Sequence, residues 1–196
     1  MTVVEPDPIA AVTAILERAK AAGGYDHTAM TLATVGPDGR PSCRFVLLKG
    51  IDARGFVFFT NLSSRKAEQI AGSPFAALCF YWASILVQVR VEGTVEPIAA
   101  AEADAYFASR PRGHQLSAWA SRQSSVLDNR ATLERRFEEY TRRFEGEPVP
   151  RPPFWSGYRV IPDRIEIWTH HDDRMHDRLL YTRTASGGWT TEHLYP

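Results

Sequence analysis

The chain carries a dense succession of short β-prone runs without regularly alternating helices, and this excludes most architectures at once. Residues 29–35, 42–48, 55–60, 75–82 and 85–95 read as strands. In the last of these Val87, Val89 and Val91 alternate with Gln88, Arg90 and Glu92, so one face is set for a core. Gly36-Pro37-Asp38-Gly39 is a turn signal that predicts a hairpin between the first two runs. Strands return at 157–161, 164–168, 179–183 and 188–194. Parallel strands need helical crossovers, and a nucleotide-binding parallel sheet also needs a glycine-rich phosphate loop after a strand. Neither pattern is present. The predicted class is mainly β with peripheral helices (α+β), built as an antiparallel barrel.

Helices fill the gaps. Asp7-Pro8 has the form of an N-cap followed by a first-turn proline, with Ile9, Val12, Ile15, Leu16 and Ala19 at helical spacing and Gly23-Gly24 as a stop. Residues 64–71, 99–109, a segment around 115–121, and the charged amphipathic stretch 127–144 also read as helices. The proline-rich 147–153 predicts a loop. A length of 196 residues suits one domain, 1–196. Lys plus Arg and Asp plus Glu balance at 23 each, which argues against a general nucleic-acid binder. Cys43 and Cys79 lie in apolar runs without metal spacing, and predict buried thiols in a reducing cytoplasm. No leader pattern opens the chain and no apolar run is long enough to span a membrane, which also predicts a cytoplasmic protein.

Cations mark the candidate chemistry. Arg174-Met175-His176-Asp177-Arg178, if extended, puts Arg174, His176 and Arg178 on one face, where they ask for an anion. In Asn61-Leu62-Ser63-Ser64-Arg65-Lys66 two cations enter the first turn of a helix. A bound phosphate would turn that unfavourable placement to advantage; a solvated helix start is the other reading. Arg44 and Lys49 bracket four apolar residues, which by themselves read as edge protection. Ser109-Arg110-Pro111-Arg112-Gly113-His114 and Ser121-Arg122-Gln123-Ser124-Ser125 are basic, hydroxyl-rich loops. Together, in a chain of zero net charge, these segments form a coherent phosphate-binding set. His170-His171-Asp172-Asp173 is set aside as a solvated turn, because adjacent histidines in a strand diverge; no metal site is predicted.

These segments resemble the pyridoxamine/pyridoxine 5'-phosphate oxidase family. The resemblance rests on Arg44-Phe45-Val46-Leu47-Leu48-Lys49, Phe59-Thr60-Asn61-Leu62-Ser63-Ser64-Arg65-Lys66, Tyr106-Phe107-Ala108-Ser109-Arg110-Pro111-Arg112, Ser121-Arg122-Gln123-Ser124-Ser125, Phe154-Trp155-Ser156-Gly157-Tyr158-Arg159-Val160 and Arg174-Met175-His176-Asp177-Arg178, in that order. It implies a homodimeric split β-barrel with FMN at the subunit interface, and residues 154–196 as the C-terminal dimerisation segment. It implies FMN contacts at Arg44, Val46, Leu47, Phe59, Thr60, Arg65, Lys66, Gln88, Gln123, Ser124, Trp168 and Arg178, some from the second subunit. Lys49, Tyr106 and Arg110 would hold the substrate phosphate, with His114 in the same loop, and Arg174 and His176 would lie over the pyridine ring as the catalytic pair. The implied reaction oxidises the C4' carbon of pyridoxamine or pyridoxine phosphate, with oxygen as acceptor and hydrogen peroxide as product. The resemblance leaves two further readings open, a related flavin oxidoreductase with a phenazine-type substrate and an FMN or pyridoxal phosphate binding protein without turnover. Three positions depart from the family pattern: His114 stands where a serine is usual, Val87 where an arginine is common, and Thr169-His170-His171 where glutamine and glycine prevail. The first and third bear on the substrate pocket.

Overall fold

The computed structural model describes residues 5–196. Residues 1–4, part of the stretch read above for a leader, lie outside them. Nine strands form one sheet in which every pairing is antiparallel. In chain order they are β1 (Ala29–Val35), β2 (Pro41–Leu47), β3 (Gly50–Asp52), β4 (Gly55–Asn61), β5 (Phe75–Trp82), β6 (Val87–Pro97), β7 (Trp155–Thr169), β8 (Asp177–Arg183) and β9 (Trp189–His193). The sheet order is β2-β1-β5-β6-β7-β4-β3, with β8 on β7 and β9 on β8. The sheet curls into a split barrel, the architecture that the strand succession predicted. Its core includes Met30, Leu32, Phe56, Phe58, Phe80, Val89, Val91, Val160 and Ile165, all fully buried. Helix α1 (Pro8–Ala22) closes one side with Ile9, Val12, Ile15, Leu16 and Ala19, and the Asp7 carboxylate accepts from the Ile9 amide as the N-cap.

Strand β7 organises the molecule. Its first half pairs with β4, its second half with β8, and β6 runs beside both. The sequence predicted two strands here, interrupted at Pro162. The structure has one, because β7 itself absorbs the irregularity as a bulge: its pairing with β6 shifts between Glu92 and Gly93, which face Arg164 and Pro162 and leave Asp163 as the extra residue. Gly93 is required there, since a Cβ would sit 1.9 Å from the Ile161 carbonyl oxygen.

Helices α2 (Arg65–Gly72), α3 (Ala100–Ser109), α4 (Arg112–Ala120) and α5 (Arg130–Arg143) complete the fold. Phe107, Leu116, Val149 and Trp155 form a second apolar cluster beneath the last three. Several expected boundaries move. Helix α5 starts at Arg130 rather than Leu127, because the Asn129 side chain accepts from the Thr132 amide and caps it. Helix α4 starts at Arg112, so His114 is helical rather than in a loop. Strand β6 starts at Val87 because Leu86 turns with φ 53°. The short β3 was not anticipated. Cys43 is exposed and Cys79 only partly buried, against the expectation of buried thiols. Strand β2 is a sheet edge, and its outward residues Cys43, Phe45 and Leu47 are exposed. Among the described residues no helix is long and apolar enough to cross a membrane.

Candidate functional site

A cavity of about 1210 Å³ opens between β2, β4 and the four helices α2–α5. Its wall brings together Arg44, Val46, Leu47 and Lys49 from β2 and its end, Phe59 and Thr60 from β4, and Arg65 and Lys66 from α2. Tyr106, Arg110, His114, Gln123 and Ser124 come from the helical side. The local reasons are simple. Arg44 and Val46 lie on the half-buried face of the alternating strand β2. Strand β4 ends at Asn61 and leads through a short turn into α2, which delivers Lys66 inward while Arg65 stays exposed. Ser124 takes a left-handed backbone, φ 74°, that turns the segment after α4 back toward the wall.

Arg130 of this wall pairs with Glu134 at 2.7 Å, but the predicted cations Arg44, Lys49, Arg65, Lys66 and Arg110 have neutral partners or none. The Arg44 guanidinium donates to the Leu32 carbonyl at 3.1 Å, the Thr34 hydroxyl at 2.6 Å, the Ser42 hydroxyl at 2.7 Å and the Gln69 side-chain oxygen at 3.3 Å. The Lys66 ammonium donates to Thr60 Oγ1 and Ser64 Oγ, both at 3.1 Å, and to Gln123 Oε1 at 2.9 Å. Burial, reinforced by the Arg44 charge, pushes the Lys66 pKa down to about 8. Burial also lowers Arg44 and Arg110 from the ordinary arginine value. Arg110 Nη1 is buried without a hydrogen-bond partner. Among the described residues no carboxylate forms an ion pair with Arg44, Lys49, Arg65, Lys66 or Arg110. Desolvated cations without counter-charges suit an anionic ligand, and the volume accommodates a cofactor with a substrate beside it.

An aromatic stack sets the position of Arg110. Phe59 lies 3.9 Å from Tyr106 and 5.3 Å from Trp155, centroid to centroid and nearly parallel to both. The Arg110 guanidinium sits 4.7 Å from the centre of the Trp155 ring. Sequence reasoning did not single out Trp155 as a site residue, although it lies in one of the strings that carried the resemblance. It also missed Ser117, Arg130 and Phe137 of the wall, which on a surface helix carry no distinguishing pattern.

The remaining predicted residues form a second group, outside this cavity's wall. Gln88, Trp168 and Arg178 are adjacent across β6, β7 and β8, paired Gln88 with Trp168 and Trp168 with Arg178. Arg174 and His176 occupy the β7–β8 hairpin. The segment is not extended as expected. A single 3-10 turn covers Asp172–Arg174, Asp173 and Arg174 have φ of 54° and 61°, and β8 begins only at Asp177. The expectation that this row of cations must seek an outside anion is corrected for Arg178. It donates to buried Glu166 at 2.9 and 3.1 Å, and Arg90 pairs with the same carboxylate from the other side. Burial pushes the Glu166 pKa up, but the Arg178 hydrogen bonds and the two guanidinium charges outweigh it and hold the group below the usual range.

Comparison with known proteins identifies the family. Residues 16–144 match the family model described as pyridoxamine 5'-phosphate oxidase, and 155–196 match the pyridoxine 5'-phosphate oxidase C-terminal dimerisation region. The chain belongs to the pyridoxamine 5'-phosphate oxidase family. The pyridoxine/pyridoxamine 5'-phosphate oxidase of Myxococcus xanthus is 56% identical over 193 residues, 98% of this chain and 93% of that protein. The enzyme of the same name from Rubrobacter xylanophilus is 57% identical over 192 residues, 98% of this chain and 88% of its own length. A crystal structure of PhzG from Burkholderia lata, in complex with tetrahydrophenazine-1-carboxylic acid, superposes with a TM-score of 0.93 at 32% identity, covering 98% of this chain and 94% of that one. The oxidase family is thus matched on both sides of the loop before β7, which links the cavity to the hairpin group.

Proposed function

We infer that this chain is an FMN-dependent oxidase that converts pyridoxamine or pyridoxine 5'-phosphate to pyridoxal 5'-phosphate, reducing oxygen to hydrogen peroxide; with the amine substrate, water hydrolyses the imine first formed and ammonia leaves. The observation that carries the reading is the set of desolvated cations without carboxylate partners, in a chain whose relatives at 54–57% identity bear that name. When bound, FMN accepts two electrons from the substrate carbon and passes them to oxygen. The protein supplies binding, orientation and charge. Arg44, Arg65 and Lys66 hold the cofactor phosphate, beside Thr60 and Gln123, which already orient the Lys66 ammonium. Lys49, Tyr106, Arg110 and His114 hold the substrate phosphate. The Trp155 stack keeps the Arg110 guanidinium ready to donate into a site from which water is displaced. Gln88, Trp168 and Arg178 complete the cofactor site from the second subunit of a homodimer, and Arg174 and His176 cover the substrate ring there. The match of 155–196 to a dimerisation region supports that assembly.

The test is direct. The purified protein is expected to be yellow, to bleach without air on addition of either B6 phosphate, and to take up oxygen while forming pyridoxal phosphate. A yellow protein that no B6 phosphate bleaches would overturn the reading. The likeness to PhzG makes a phenazine precursor the comparison substrate: bleaching by that compound alone would assign the chain to phenazine-type chemistry.

A further inference from the structure

His170 and His171, the departure from the family pattern that the reaction leaves unused, surround His176. The backbone N–H of His171 donates to His176 Nδ1 at 3.2 Å. The His171 ring is held in turn by Asp177, Nε2 to Oδ2 at 2.8 Å. The His176 ring packs on Trp168 with centroids 4.5 Å apart, and the His170 ring lies 5.2 Å away on another side. His170 is fixed at its own backbone, whose N–H donates to the Leu86 carbonyl at 3.0 Å. A flipped His176 ring would place a carbon against the His171 N–H, so the hydrogen bond selects this orientation.

We propose that the His171 peptide fixes the tautomer of His176, so that His176 acts on the substrate as an Nε2–H hydrogen-bond donor and not as a proton acceptor. A nitrogen that accepts a hydrogen bond cannot carry the proton, so the neutral ring bears it on Nε2. Nε2 is then the ring nitrogen left for a ligand, and it donates. A base at this position would have to take its proton on Nε2 while Nδ1 kept another, which would set two N–H groups against each other at the His171 peptide. The surroundings oppose the cation as well. Loss of water and the neighbouring His170, Arg174 and His171 lower the His176 pKa from the ordinary histidine value. Asp177 faces the His171 ring and Asp172 lies 4.0 Å from the His170 ring, so the nearby carboxylates serve the flanking histidines.

The catalytic half of this inference rests on the oxidase reading; the tautomer does not. Nitrogen NMR of the FMN-loaded protein with labelled histidine decides the tautomer, with the His176 signals assigned by their loss in His176→Gln. At neutral pH the expected spectrum has Nε2 protonated and Nδ1 bare. A proton on Nδ1, or a cation at that pH, would overturn the proposal whatever the enzyme turns over. Activity then tests the donor role. In His176→Gln the longer side chain carries its amide nitrogen to the Nε2 position, whereas His176→Asn leaves that position empty. With pyridoxine 5'-phosphate, kcat/KM of His176→Gln is expected to stay within about tenfold of the native enzyme, and that of His176→Asn to fall about a hundredfold. Equal losses in both variants would remove the donor role.

Discussion

At the scale of single residues, burial decides more than identity. Lys66 and Arg65 are neighbours of the same charge, but only Lys66 is buried, and its pKa falls to about 8 from an ordinary 10.5. The unfolded chain therefore binds more protons than the native one between those values. The stability of the cofactor-free protein should rise as pH climbs through that window. Thermal melts should show the rise, and both Lys66→Met and saturating FMN should remove it, the second because a phosphate restores the charged form. The same variant should bind FMN at least about tenfold more weakly by fluorescence titration. Arg110 makes a different prediction. Its Nη1 is buried and unpartnered, and its Cζ lies 4.7 Å from the centre of the Trp155 ring. Arg110→Lys keeps the charge but loses the fork and the contact with the ring. Steady-state kinetics should show KM for pyridoxine 5'-phosphate raised about a hundredfold, with FMN content unchanged. A parallel loss of FMN would assign Arg110 to the cofactor instead.

At the scale of elements, the sequence marks most strands and helices but not how they join. The alternation of Val87, Val89 and Val91 belongs to β6, and the Asp7-Pro8 cap starts α1. Pro162 suggested a break in β7, and only the pairing with β6 reveals that a one-residue bulge at Asp163 keeps the strand whole. That bulge depends on Gly93. Gly93→Ala would press a Cβ onto the Ile161 carbonyl at 1.9 Å, and is expected to cost about 3 kcal/mol and lower the melting temperature by about 10 °C. Gly113→Ala is the control. Nothing lies within 4 Å of that position and it is helical, so calorimetry should show a gain of about 0.5–1 kcal/mol. The turn at Asp172–Arg174 was equally hidden, because the left-handed backbone of Asp173 and Arg174 is unusual for residues with a side chain and leaves no pattern in the sequence.

At the scale of the whole molecule, the two groups of site residues set up a test by complementation. If each site takes its cavity from one subunit and its hairpin from the other, Lys66→Met and Arg178→Ala fail in different halves. Mixed dimers then contain one site in which both halves are native. Unfolding and refolding the two inactive variants together should recover about a quarter of native activity, as random pairing requires. No recovery would place all the residues in one subunit. The sequence by itself determined the fold class, because a run of alternating apolar positions without helical crossovers has few ways to bury its faces. It also determined which cations to watch, since charge in apolar surroundings is legible as a pattern. Tertiary structure alone decided which of them meet a carboxylate. Arg178 looked as unpartnered as Arg110, yet it meets Glu166 across the sheet, while Arg110 is desolvated against Trp155 and meets no carboxylate. Pairing across strands depends on register and burial, and these exist only when distant segments pack together.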